Sequence, residues 1–369
     1  MPSDRGRSYA IRGSAKPPAE AGVHIGPLAS RGSDPQHWAD DHPVLNVLRE
    51  RSAGRGAVRD KDNARVGLVV EGGGMRGIVS GAMLCAIEDL GFGACFDAVY
   101  GCSAGAVNAA YFVAGNCWRG LSVYHDDLSQ GPFIDYRRLF RLRSFVDLDY
   151  VFKDVLARRP LDFQLIATSP MELHVAVTDI DRLLTEDVSI FEDGADLLET
   201  LYASAWMPIG SCQAASWRGR RALDGGVLAP HPLGMALSDH CTHVLSLSTR
   251  PIRPSGYRGY TAAKLLGYFY LEGFKSGLGS RHLSAIRDYW SERNLMHRKS
   301  LVPSNAPHVL DLAPVSSSAK IRFFERDQRR LLSAARDAYG LTYCALTGTS
   351  LGAYTSGKVR VVPRLAAVE

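Results

Sequence analysis

Three short stretches of this chain carry residue types that together could break an acyl bond. Gly101-Cys102-Ser103-Ala104-Gly105 has the form G-x-S-x-G, in which a serine at a tight strand-to-helix turn lifts its hydroxyl above the sheet edge. Gly101 and Gly105 leave room where larger side chains would collide with the neighbouring strand or helix. A serine so placed also lies near a helix amino terminus, whose free N–H groups favour developing negative charge. The second stretch is Glu71-Gly72-Gly73-Gly74-Met75-Arg76-Gly77, where consecutive glycines let backbone N–H groups converge on an anion or oxyanion. The third is RRALDGGVLAPHP, residues 220–232. It reads as a short strand ending at Leu223, with Asp224 at the tip and Gly225 and Gly226 fixing the turn. A carboxylate there can meet a nucleophile projecting from a neighbouring strand tip. By itself a D-G-G sequence is usually only a turn.

Each stretch has a competing reading. Gly72-x-Gly74-x-x-Gly77 also fits dinucleotide-binding spacing, with Asp97 as the acidic partner. Asp97, however, begins its strand instead of ending it, and that strand leads straight into Ser103. A P-loop fails because Ile78, not lysine, follows Gly77. An oxyanion hole is the better account if a parallel strand delivers Ser103 beside the loop. A Ser-His-Asp triad would need a histidine after the serine. His125, His174, His231, His240, His243, His282, His297 and His308 are available, and none sits in a supporting motif. His231, seven residues beyond Asp224, is the strongest competitor for the base. An ordinary aspartate, with a pKa of about 3.9, matches a serine hydroxyl poorly, so on an aspartate reading electrostatics must do most of the work.

The elements that must position these residues follow from periodicity. VGLVV (66–70) is a nearly continuous apolar run, as expected of a buried parallel strand. Ile78 to Leu90 reads as a helix, Phe96 to Tyr100 as a strand and Ala104 to Ala114 as a helix. FQLIAT (163–168), LHVAVT (173–178) and THVLSLS (242–248) read as further strands. Gly194 to Ala203, Tyr260 to Phe274, Leu283 to His297 and Glu325 to Tyr339 read as helices. The alternation predicts an α/β fold. Residues 119 to 160 mix aromatic, arginine and aspartate residues and are the least legible part of the core. Residues 1–62 read as an irregular or partly ordered extension in which only Val44 to Leu48 looks structured. Residues 63–345 read as one catalytic domain and 346–369 as a tail. Within 255–300, two aromatic-rich and basic helices read as ordinary packed helices, or as a cap or lipid-facing surface. KIRFFERDQRRLL (320–332) reads as a charge-rich strand-to-helix junction, and no aromatic platform suggests nucleic acid there.

Composition narrows the class. The 369 residues are 46% hydrophobic and 22% charged, which is ample for a buried core. The net charge of +5 is compatible with an anionic membrane surface without requiring one. The seven cysteines are odd in number and form no CxxC pair or Cys/His cluster, which argues against a disulfide scaffold or structural zinc. The amino terminus lacks the apolar stretch of a signal peptide, and no run approaches the roughly 18 to 20 apolar residues that span a bilayer. A cytoplasmic protein, at most peripheral to membrane, is the expectation.

GGGMRG, GCSAG and DGG, in this order and spacing, resemble the patatin-like phospholipase family across roughly residues 65 to 250, with fainter likeness as far as Gly340. The resemblance implies a three-layer α/β/α core with a mainly parallel sheet and a helical region after it. It implies a Ser–Asp dyad carried by Ser103 as nucleophile and Asp224 as base. Backbone N–H groups of Gly72, Gly73 and Gly74 would form the oxyanion hole, with Arg76 at the family's basic position and Gly77, Gly101, Gly105, Gly225 and Gly226 supporting the motifs. It further implies hydrolysis of lipid acyl esters without metal or organic cofactor. Acyl transfer by the same dyad, or lipid binding without catalysis, are the alternatives. Ala203-Ser204-Ala205-x-x-Pro208 is similar to another family stretch. Where many relatives have asparagine after the D-G-G turn this chain has Pro230, though Pro232 matches.

Overall fold

The computed structural model describes residues 24–25, 37–54, 62–141, 144–207, 213–252, 261–303, 305–315, 321–357 and 359–360. An eight-stranded sheet runs through them: β1 (Val66–Val70), β2 (Ala98–Cys102), β3 (Glu172–Asp179), β4 (Leu184–Val188), β5 (Ala215–Trp217), β6 (Arg220–Asp224), β7 (His243–Leu247) and β8 (His308–Leu312). The order is β5-β6-β3-β2-β1-β7-β8, with β4 also paired to β3. The pairs β1–β2, β1–β7, β2–β3 and β7–β8 are parallel, whereas β4 and β6 join β3, and β5 joins β6, antiparallel.

The helices that concern the site are α1 (Pro43–Ala53), α2 (Gly77–Asp89), α3 (Ala104–Val113), α4 (Cys117–Ser122), α5 (Phe163–Ala167), α6 (Gly194–Ala205), α7 (Leu233–Ser238), α8 (Thr261–Glu272), α9 (Leu278–Leu301) and α10 (Gln328–Thr347). They flank the sheet on both faces, as the inferred three-layer α/β/α class requires. All five residues of β1 are buried, because a parallel strand covered by helices on either side has no solvent face. Val66, Leu68 and Val70 enter the core shared with α2, α3 and α10. Val69 enters the opposite core with Leu233, Met235 and Ala236 of α7 and Met296 of α9. Every residue of α2 from Gly77 to Ile87 is buried, as expected of a helix that is apolar all round.

The register places the site. Val175 and Ala176 of β3 pair with both β2 and β4, and Val177 to Asp179 pair with both β4 and β6. Strands β2 and β6 therefore share one edge of β3, end to end. Cys102 lies opposite Ala176 and Asp224 opposite the next residue, Val177. The carboxyl ends of β2 and β6 thus meet head-on, with Ser103 and Asp224 at the junction.

Several elements differ from the sequence reading. FQLIAT forms the helix α5, not a strand, because the Asp162 side chain accepts from the Gln164 and Leu165 N–H groups and caps it. Strand β2 runs on to Cys102, and Asp224 is the last residue of β6 rather than the residue after it. No strand occurs among the described residues 321–327. Helices α9 and α10 are longer than their apolar patterns indicated. In the expected N-terminal extension, α1 buries Val44, Leu45, Val47, Leu48 and Arg51. Arg51 pairs with Asp97 at 2.8 Å and Asp62 at 2.7 Å, which ties α1 to the loop before β2. Asp97 is thus engaged structurally rather than at a ribose. Pro208 lies outside the described residues, as does part of the stretch 255–300.

Candidate active site

Ser103 occupies the turn between β2 and α3 with φ +56° and ψ −134°, a region that L-residues rarely adopt and that costs roughly 1–3 kcal/mol. Two close backbone approaches enforce the turn. A Cβ on Gly105 would lie 2.4 Å from the Val70 carbonyl oxygen, and one on Gly72 would lie 2.3 Å from the Cys102 carbonyl oxygen and 2.9 Å from the Ser103 Cβ. The elbow and the glycine loop are therefore in van der Waals contact through their glycines, as the parallel pairing of β1 with β2 requires. Ser204 of α6 completes the clip. Its Oγ accepts from the Ser103 N–H at 3.0 Å and donates to the Ala176 carbonyl at 2.7 Å. The sequence reading gave Ser204 no role, although it lies in the Ala203-Ser204-Ala205 stretch noted there.

The Ser103 hydroxyl donates to Asp224 Oδ2 at 2.6 Å. The other carboxylate oxygen, Oδ1, accepts from the Gly226 N–H at 2.7 Å. Thr178 Oγ1 donates to the Asp224 carbonyl at 2.9 Å, and the Asp224 N–H donates to the Trp206 carbonyl at 2.8 Å, so the aspartate is held from both flanks. Both side chains are buried. Burial pushes the Asp224 carboxyl up to about 6, against the opposing bonds from Ser103 and Gly226. The carboxylate so produced is a far better proton acceptor near neutrality than an ordinary aspartate.

Across the elbow, Gly73 and Gly74 have φ of +128° and +59°. Their N–H groups donate to no protein group among the described residues, whereas the Met75 N–H is taken by the Phe323 carbonyl at 3.0 Å. Arg76 folds back against Gly73 and lies over the Phe323 ring, 5.2 Å from its centroid. It packs on the loop it belongs to. The loop is anchored behind by Glu71, which is buried. Glu71 accepts from Tyr289 OH at 2.7 Å and from the Thr249 N–H at 2.5 Å, and faces Arg293 at 3.4 Å. Burial alone would raise the Glu71 carboxyl, but Arg293 and then Arg250 hold it down at about 2. Thr249 also donates through Oγ1 to the Gly72 carbonyl at 2.9 Å.

Among the described residues no histidine stands between Ser103 and Asp224. His231 is buried, with Nε2 3.0 Å from Ser246 Oγ, in a polar network that continues to Asp311. Burial lowers its pKa. His282 Nδ1 meets the Val227 carbonyl at 2.7 Å, just past the D-G-G turn, so it braces that loop from α9. The loop containing Pro230 is further closed by the Ala229 N–H on the Gly225 carbonyl at 2.9 Å.

Ser103 and Asp224 open into a cavity of roughly 710 Å³, part of it in contact with solvent. Its wall is apolar and comes mainly from the stretch that the sequence left illegible: Val123, Tyr124, Leu128, Phe133, Val146, Leu148, Val151 and Phe152 line it, with Phe323 and Met207. None of the described residues of α8 and α9, which read as packed helices or as a cap, is among those lining it. Asn108 also lines the cavity, but its amide is satisfied by the Gly77 carbonyl at 2.8 Å and by Tyr124 OH at 3.0 Å. The space therefore fits an apolar chain whose polar end lies at Ser103.

At the amino end of β3, Glu172 and His174, with Asp239 after α7, each bring one ligand atom within 4.8 Å of the others, the one such group among the described residues. Arg65 already bridges the two carboxylates, bonding Glu172 at 2.5 Å and also Asp239. A guanidinium thus stands where a cation would. No helix among the described residues is long and apolar enough to cross a membrane.

Residues 68–237 match the family model described as patatin-like phospholipase. That stretch contains the glycine loop, the elbow and the D-G-G turn. Comparison with curated proteins finds no match.

Proposed function

We propose that this chain, a member of the patatin-like phospholipase family, cleaves the carboxylic ester of a lipid with Ser103 as nucleophile and Asp224 as base. The observation that carries the reading is the 2.6 Å bond from the Ser103 hydroxyl to a buried carboxylate at the head of an apolar cavity. As Ser103 Oγ attacks the acyl carbonyl, Asp224 Oδ2 takes its proton. The carbonyl oxygen, now negative, is held by the N–H groups of Gly73 and Gly74, within the oxyanion loop of Gly72 to Gly74. These groups need no reorganisation at the moment of reaction. Collapse breaks the bond to the alkoxy leaving group, which receives the proton from Asp224, and leaves an acyl ester on Ser103. A water that gives its proton to Asp224 then attacks this ester. The fatty acid leaves and the proton returns to Ser103, so two easier displacements replace one difficult one.

Labelling with a serine-reactive fluorophosphonate, followed by mapping of the modified residue, tests the assignment. The label should map to Ser103. Ser103→Ala should abolish labelling and ester hydrolysis with the melting temperature nearly unchanged. Full hydrolysis by the alanine variant refutes the proposal.

A further inference from the structure

The cavity wall and the outer surface meet in one short excursion of the chain. Ile134 and Val146 form an isolated antiparallel bridge, and the Asp135 and Asp147 N–H groups donate to the Phe145 and Phe133 carbonyls at 2.9 and 2.8 Å. Below this closure Phe133, Val146 and Leu148 line the cavity. Above it the chain turns outward through the 3-10 turn Tyr136–Arg141. There Phe140 is 93% exposed and Tyr136 56%. An isolated exposed leucine needs no explanation, but a phenylalanine almost wholly in water, on a turn that grows from a strand bridge lining an apolar cavity, does. Tyr136 stacks on Phe145, with centroids 5.0 Å apart. Phe145 meets Phe324 at 4.8 Å and Phe324 meets Phe323 at 4.7 Å, so aromatic packing is continuous from the turn to the cavity wall beside Ser103. Arg137 on the turn is exposed, and so is Arg326, which donates to the Ile134 carbonyl at 3.4 Å beside the bridge.

We propose that the Tyr136–Arg141 turn seats the protein on an anionic lipid bilayer, with Phe140 entering the headgroup region and the cavity mouth facing the lipid. The proposal rests on the lipid-ester reading above. Aromatic side chains favour the interfacial zone, and arginines beside them are drawn to anionic headgroups. The charge on Arg137 and Arg326 selects this partner over a neutral surface. The exposed Phe269 of α8, at 64%, has no comparable claim, since none of the described residues of α8 lines the cavity.

The test is co-sedimentation with vesicles of phosphatidylcholine alone, and of phosphatidylcholine with about one third phosphatidylglycerol. The full chain carrying Ser103→Ala is used so that no turnover disturbs the lipid. It should bind the anionic vesicles and bind the neutral ones less. Phe140→Ser should weaken anionic binding about tenfold or more, corresponding to about 1.4 kcal/mol, and Arg137→Glu should weaken it on anionic vesicles only. In the otherwise unaltered enzyme neither change should alter hydrolysis of a short soluble ester. Binding by Phe140→Ser equal to its parent overturns the proposal, and so does a Phe140-dependent dimer with no vesicle binding. Failure of the ester-cleavage reading would look different, because fluorophosphonate labelling would be absent while vesicle binding remained.

Discussion

Replacing Asp224 with asparagine should stabilise the protein near neutral pH while disabling it. The carboxyl is buried and its pKa stands at about 6 in the folded chain, against an ordinary value of 3.8. Below the unfolded value both states are protonated and folding carries no penalty. As pH rises through the folded value, the unfolded chain releases its proton more readily than the native one, and stability falls. A difference of about two units amounts to roughly 3 kcal/mol once pH is well above 6, and to about 1 kcal/mol at pH 4.5. Asparagine keeps the shape, can accept from the Gly226 N–H and can donate to Ser103 Oγ, yet carries no charge to bury. Urea unfolding of the two proteins at pH 8 and pH 4.5 measures the effect. The variant should be more stable by about 1–3 kcal/mol at pH 8, with most of that margin gone at pH 4.5. A margin equal at both pH values, or a loss at both, would refute the argument that Asp224 is held ionised at a cost. The variant's kcat should fall by orders of magnitude, because the amide cannot take the serine proton. The raised pKa also places the acid limb of kcat/KM near pH 6, where an imidazole base would put it too. Temperature dependence of the limb separates them, since a carboxyl ionises with little heat and an imidazolium with much more.

Two further outcomes follow from the site. His231→Ala should lower kcat by less than about tenfold, since His231 bonds Ser246 and not the serine, and a loss as deep as that of Ser103→Ala would restore a triad. An acyl-length series on soluble esters should show kcat/KM rising by up to about fourfold per methylene until the cavity is filled, and Leu148→Trp, on the cavity wall, should shift the optimum to shorter chains. A maximum at acetyl in the unaltered enzyme would contradict an acyl-chain cavity.

The three glycine-bearing motifs were legible because backbone approach and φ leave few residue choices, so the chemistry is written in side-chain absence. Strands β1, β3 and β7 were legible for a related reason, since strands covered on both faces read as apolar runs. Strand β4, LTEDV, was not, because its outer position leaves most of it in contact with water and without an apolar signature. FQLIAT misled because a short apolar run fits strand and helix equally, and the deciding group, Asp162, lies just outside it. The cavity wall was least legible. The described residues between 119 and 160 form short α, π and 3-10 turns with no sustained period, so their shared apolar face emerges only in three dimensions.

The role of α9 explains a further feature. Its aromatic and basic residues read either as an ordinary packed helix or as a cap or lipid-facing surface. In the structure Tyr289 and Arg293 are buried against Glu71, and His282 braces the turn after Asp224. Two buried carboxylates thus lie near the elbow with opposite settings. Glu71 has Arg293 and Arg250 close by and sits at about 2, permanently ionised, and so serves as a fixed anchor for the glycine loop. Among the described residues Asp224 has only Ser103 and the Gly226 N–H to offset its burial, and it sits at about 6, where gaining and losing a proton are both easy. A cation beside Asp224 would make the site more stable and its base weaker. Environment rather than residue type separates the structural carboxylate from the proposed base, and α9 supplies the difference by delivering Arg293 to Glu71.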